Sequence, residues 1–229
     1  MRKIQIGQIP AILYGEPSEK GYLYLHGKQG CKEEAEAFAD IVCPKGWQVV
    51  GIDLPGHGER AFEMDCFDPW HVVPELNQVY DALCLGWNSV CLRANSIGAW
   101  FAMLAYQDKP ISRSLFVSPV LDMAELIEKM MCWASVTPEM LKQERKIPTS
   151  FGETLSWEYY CYAKEHPAER WNIPTFILYA GRDHLVDRKT VERFTSKFNC
   201  SLTVMERGEH WFHTEEQLAF LAEWEKNSI

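Results

Sequence analysis

Residues 89–106 read Ser89-Val-Cys-Leu-Arg-Ala94-Asn95-Ser96-Ile97-Gly98-Ala-Trp-Phe-Ala-Met-Leu-Ala-Tyr106. The first six residues suit a buried strand. Ser96 to Tyr106 is an apolar helix that follows with almost no loop. A strand turning directly into a helix forces the residue at the turn into a strained backbone conformation. The residues two before and two after it must be small, so that strand and helix can approach; here they are Ala94 and Gly98. Such a turn lifts the Ser96 hydroxyl above the sheet, beside a helix N-terminus. A serine at a helix start is also an ordinary N-cap, so the segment needs support from the rest of the chain.

Outward from this segment, strand-like and helix-like stretches alternate. Lys3 to Ile6 and Pro10 to Tyr14 are extended, with no helix between them, and predict an antiparallel edge. Tyr22 to Leu25 is a short apolar strand. Lys32 to Val42 reads as a helix stopped by Pro44-Lys45-Gly46, and Trp47 to Leu54 as a strand closed by Pro55-Gly56. A helix is expected within His71 to Trp87. Strands follow at Ser114 to Val117, Pro174 to Ala180 and Ser201 to Met205, with a helix over Arg188 to Phe198. Thr214 to Gln217 fits a capping box that opens a final helix. This alternation predicts an α/β fold: a mostly parallel sheet of about eight strands with helices on both faces. The exception is Asp122 to Trp171, rich in helix signals and aromatic residues, without a clear strand. It predicts a cap of about 122–171 inserted into a single domain over 1–229.

In open α/β sheets the ligand site lies beyond the carboxyl ends of the strands. The residues following the strands include His26-Gly27-Lys28, Asp53, Ser96, Ser118 to Asp122, Asp183 and His210. A serine, an acid and a histidine thus follow in that chain order. Ala94-Asn95-Ser96-Ile97-Gly98 resembles the G-x-S-x-G nucleophile elbow of the α/β-hydrolase family, with alanine in place of the first glycine. Leu25-His26-Gly27-Lys28-Gln29-Gly30 resembles the family's H-G-x-x-G loop. Asp53-Leu54-Pro55-Gly56-His57-Gly58 resembles its D-x-P-G-H-G turn, Gly181-Arg182-Asp183-His184-Leu185-Val186 its acid segment, and Gly208-Glu209-His210 its histidine segment. The resemblance runs from Tyr22 to the final helix.

It implies an α/β-hydrolase fold and a serine-hydrolase triad of Ser96, Asp183 and His210. It assigns the backbone amides of Lys28 and Ile97 to an oxyanion hole, and it implies no metal or organic cofactor. His26 is expected to brace its loop. Asp122 is the rival acid, because some family members place the acid one strand earlier. His213 is the rival base, and Asp187 reads as a helix-start acid. Gly56-His57-Gly58-Glu59-Arg60-Ala61 formally fits a dinucleotide pattern, yet Asp65 to Pro69 reads as loop, leaving a phosphate no helix N-terminus to sit on. His57 is therefore expected to border the site without taking part.

Substrate class follows less directly. Met130, Trp133, Trp157 and Tyr160 of the cap are candidates to contact an apolar group, and a small-molecule carboxylic ester is the first expectation. A thioesterase and an aminopeptidase-like hydrolase are close rivals; Glu125, Glu128 and Glu158 are cap acids able to hold a substrate amine. A catalytically silent binding protein on the same scaffold is the rival of another class. Lys and Arg number 23 and Asp and Glu 32, a net charge of −9, which argues against nucleic acid and anionic membranes. The eight cysteines form no C-x-x-C pair, and Met1 to Gln8 carries no apolar run, so a cytoplasmic protein with reduced thiols is expected.

Overall fold

Alternation along each strand sorts the side chains onto two faces of one sheet. In β3 (Lys20–Leu25), Leu23 and Leu25 point to one face and Tyr22 and Tyr24 to the other. In β5 (Ser89–Asn95), Val90, Leu92 and Ala94 share the first face and Cys91 the second. β6 (Arg113–Val117) and β9 (Thr175–Ala180) keep this period of two, with Phe116, Ile177 and Tyr179 opposed to Leu115, Val117 and Leu178. Strands buried on both faces need helices on both, and the sequence supplies them. The computed structural model describes residues 1–229.

The sheet has eight strands. β1 (Arg2–Ile6) and β2 (Ile9–Tyr14) form the antiparallel edge, and β2 pairs antiparallel with β4 (Gln48–Ile52). From β4 the order runs through β3, β5, β6 and β9 to β10 (Ser201–Met205), all parallel. The second face is covered by α1 (Ala35–Val42) and α8 (Glu215–Asn227), through Phe38, Val42 and Trp224. The first face carries α2 (Pro69–Leu83), α3 (Ile97–Tyr106) and α7 (Arg188–Phe198), through Leu76, Phe101 and Val191 among others. No helix is long and apolar enough to cross a membrane.

Between β6 and β9 stand α4 (Met123–Ala134), α5 (Pro138–Glu144) and α6 (Trp157–Glu165). The expectation of a strandless segment is corrected here: β7 (Lys146–Pro148) and β8 (Thr154–Ser156) form a small antiparallel hairpin. Three-residue strands are too short to show alternation, which is why the pattern missed them. Two further boundaries differ. Residues Gly58–Cys66 form a 3₁₀ turn structure with a kink, which overlaps the expected loop at Asp65 and Cys66. The next helix starts at Pro69, because Asp68 caps it by accepting the His71 amide. The expected capping box is half formed. Thr214 accepts the Gln217 amide at 3.3 Å, but the Gln217 side chain accepts from His213 rather than from Thr214.

Candidate active site

The site begins at the β5–α3 junction. Ser96 adopts φ 48° and ψ −119°, a conformation that non-glycine residues avoid. Its amide donates to Val117 O and its carbonyl accepts from Val120, so the turn is fixed from the neighbouring strand end. Gly98 shows why a small residue stands two positions on. A Cβ there would lie 2.6 Å from His26 O and 2.9 Å from Leu25 O. Ala94, in the place of the family's first glycine, is fully buried and accommodated.

The Ser96 hydroxyl lies 2.8 Å from His210 Nε2, and His210 Nδ1 lies 2.7 Å from Asp183 Oδ2. The side chains of His210 and Asp183 are 2% and 0% exposed. The second carboxylate oxygen, Asp183 Oδ1, accepts the amides of Leu185 and Val186 at 2.8 and 3.1 Å. The carboxylate is thereby held by its own loop and faces the imidazole with its free oxygen. Such a line fixes Nδ1 as the protonated nitrogen and leaves Nε2 able to take a proton from the hydroxyl.

The rival residues are engaged elsewhere. Asp122 caps α4 by accepting the Glu125 amide at 3.0 Å and lies 3.5 Å from Arg193. His213 is exposed; its Nδ1 meets Trp211 O and its Nε2 is 3.6 Å from Glu209. Asp187 stands at the N-cap position of α7 and pairs with Lys129. No group of three or more His, Cys, Asp or Glu side chains is arranged to hold a metal ion.

The loop after β3 lies against Ser96. A Cβ on Gly27 would meet Ser96 Cβ at 3.2 Å. His26 is fully buried, its Nε2 accepts the Leu54 amide, and its Nδ1 donates to Gly27 O at 2.7 Å. Burial lowers its pKa to about 4, only partly opposed by the bond to Gly27, so the ring is a neutral brace. The amides of Lys28 and Ile97 enter none of the hydrogen bonds of turns, loops and caps. The Lys28 ammonium is paired with Glu153, at the tip of the β7–β8 hairpin.

The D-x-P-G-H-G turn is built around Asp53. Its carboxylate accepts the Lys32 and Glu59 amides and pairs with Lys32 Nζ at 2.6 Å. Burial would raise its pKa, but these bonds bring it below its ordinary value. A Cβ on Gly58 would lie 2.2 Å from Asp53 Oδ1, which explains the glycine. His57 is buried, donates from Nδ1 to Pro55 O, and packs 5.0 Å from His26 between ring centroids.

Of the cap candidates, Trp133 is half exposed, beside Phe151 and His184. Tyr160 is buried, its hydroxyl donating to Glu128 Oε1 at 2.6 Å, and Trp157 packs on Tyr160. Met130 is partly buried against the core. Residues that the sequence pattern did not single out also gather here. Tyr159 stacks on Trp100 one turn after Ser96, and Phe151, His184 and Trp211 form an exposed row next to His210. Neighbouring aromatic residues around the expected cap were visible in the sequence. Their convergence from three separate loops was not.

No protein-family model and no curated protein matches this sequence. Solved structures do. The chain is similar to Est1E from Butyrivibrio proteoclasticus with ferulic acid bound, at a TM-score of 0.77 and 17% identity, covering 100% of this chain and 97% of that one. It is similar to α/β-hydrolase domain-containing protein 10 from mouse, at a TM-score of 0.78 and 11% identity over 96% and 94%. It is also similar to the thioesterase domain from the curacin biosynthetic pathway, at 0.63 and 17% over 98% of each chain. The chain has the α/β-hydrolase fold.

Proposed function

We propose that this chain is a serine hydrolase that cleaves a small-molecule carboxylic ester. The observation that carries the reading is the unbroken line from the Ser96 hydroxyl through His210 to Asp183. Ser96 Oγ attacks the ester carbonyl carbon while its proton passes to His210 Nε2. The carbonyl oxygen takes the negative charge and is met by the amides of Lys28 and Ile97, each such donor being worth about 10²–10³ in rate. The intermediate collapses, the bond from carbonyl carbon to leaving oxygen breaks, and the leaving oxygen receives the His210 proton as the free alcohol. Water then gives a proton to His210 and its oxygen attacks the acyl-serine. The second collapse releases the carboxylic acid and returns the proton to Ser96. Asp183 keeps His210 oriented and stabilises the imidazolium formed in each half. The similarity to Est1E with ferulic acid bound and to a thioesterase domain supports a reading of acyl transfer on this fold.

A fluorophosphonate probe tests the mechanism. Wild type is expected to be labelled at Ser96, and Ser96→Ala not at all. Absence of labelling in the wild type would favour a silent binding protein. A panel of matched esters, thioesters and aminoacyl amides, with Ser96→Ala as blank, is expected to rank esters first; a higher kcat/KM for thioesters or amides would replace the substrate class.

A further inference from the structure

Four rings run outward from the base in a continuous row. His210 and Trp211 have centroids 5.7 Å apart, Trp211 and His184 6.0 Å, His184 and Trp133 6.5 Å, and Trp133 and Phe151 5.9 Å. The large rings are not packed away: Trp211 is 58% exposed, Trp133 44% and Phe151 41%. They come from the loop after β10, from α4 and from the hairpin tip, so three separate parts of the chain present them together. Exposed apolar surface of this extent beside a nucleophile marks a binding surface.

Its position relative to His210 says which part of an ester it meets. His210 Nε2 must deliver a proton to the leaving oxygen, so that oxygen comes within hydrogen-bond reach of it, about 3 Å. The alcohol skeleton attached to that oxygen continues away from Ser96 on the side of His210, where the row begins at Trp211. The cation that stands over a ring of the row is already engaged by a carboxylate. Lys129 lies 6.0 Å above the Trp133 ring and is paired with Asp187 at 2.5 Å.

We propose that Trp211, Trp133 and Phe151 form the subsite for the alcohol portion of the substrate, and that this portion is a neutral aromatic alcohol stacked on their faces. The proposal rests on the hydrolase reading above. Flat rings on exposed indoles gain from face and edge geometry beyond simple area burial, which separates a planar group from a saturated one of equal size.

The test compares benzyl butyrate with cyclohexylmethyl butyrate, whose alcohols are alike in size and similar in basicity. Wild type is expected to favour the benzyl ester at least tenfold in kcat/KM. Trp211→Ala is expected to bring the ratio within about twofold of unity, and Trp211→Phe to keep most of it, with thermal unfolding showing both variants folded. Free benzyl alcohol is expected to quench tryptophan fluorescence of the wild type and to do so more weakly in Trp211→Ala. A wild-type ratio near unity, or a ratio that survives Trp211→Ala, overturns the proposal. So does binding to neutral lipid vesicles that Trp211→Ala abolishes while the ester ratio is near unity, since the row would then face a lipid surface. Because fluorophosphonate labelling of Ser96 is read separately, loss of aromatic selectivity with labelling intact rejects the subsite alone, whereas absent labelling rejects the hydrolase reading.

Discussion

Ser96 holds a backbone conformation that costs a serine about 1–3 kcal/mol, and the junction of β5 and α3 imposes it. Glycine adopts such angles without that cost. Ser96→Gly is therefore expected to abolish turnover and yet raise stability by about 1 kcal/mol, read as a higher urea midpoint at constant slope. The converse holds two residues on. Gly98→Ala places a methyl against two backbone carbonyls that are both fixed in the sheet end. It is expected to lower stability by about 2 kcal/mol, by the same measurement. The acid can be separated from its rival in one comparison. Asp183→Asn removes the charge facing His210 Nδ1 and is expected to lower kcat by about 10⁴. Asp122→Asn is expected to leave kcat near wild type, because asparagine caps a helix as well as aspartate.

At the scale of elements, one contact joins the cap hairpin to the loop after β3. Lys28 pairs with Glu153, whose backbone is held in turn by Thr149 through its amide and hydroxyl. Both charged side chains are about one-third exposed, so the pair is worth at most about 1 kcal/mol and is weakened by salt. Glu153→Gln is expected to speed amide exchange in residues 146–156 by roughly fivefold or less, with no comparable change in α3. Added salt in the wild type is expected to act in the same direction. The hairpin also marks the limit of what the sequence disclosed. β5 and α3 were legible because a seven-residue, largely buried strand runs directly into a ten-residue apolar helix. The three-residue strands β7 and β8 carry no such period, and their turn rests on Gly152 at φ 86°. Ser96, Asp183 and His210 were legible because each sits in a short motif fixed by local backbone geometry. Trp211, His184 and Phe151 were not, because only tertiary packing brings their three loops together.

Across the whole molecule, the end of β3 and the seat of α8 both depend on buried polar groups. His26 titrates at about 4 in the folded chain and near 6.5 when unfolded. Below about pH 6.5 the unfolded chain takes up a proton that the folded chain refuses. Its contribution is therefore complete above that pH and is lost as pH falls toward 4, by up to about 3 kcal/mol. A thermal melting series in pH is expected to fall over this window, and His26→Gln to flatten the fall. Arg93 carries the second case. Arg93, on β5 three residues before Ser96, lies buried with its Nε donating to Glu225 of α8 at 2.7 Å and its Nη1 to Asn95 at 2.6 Å. Asn95 Nδ2 donates to the Tyr24 hydroxyl at 2.9 Å, so α8, β5 and β3 share one network beneath the Ser96 turn. With both side chains under 5% exposed, removing one partner leaves a buried charge unmatched. Arg93→Met is expected to cost about 3–5 kcal/mol, whereas Arg93→Met with Glu225→Leu is expected to recover most of it, since an apolar pair of similar volume often replaces a buried ion pair at little loss. Chemical denaturation of the two single variants and the double variant measures this as a coupling energy. If the double variant is no more stable than Arg93→Met alone, the pair holds α8 through its geometry and not through mutual neutralisation of charge.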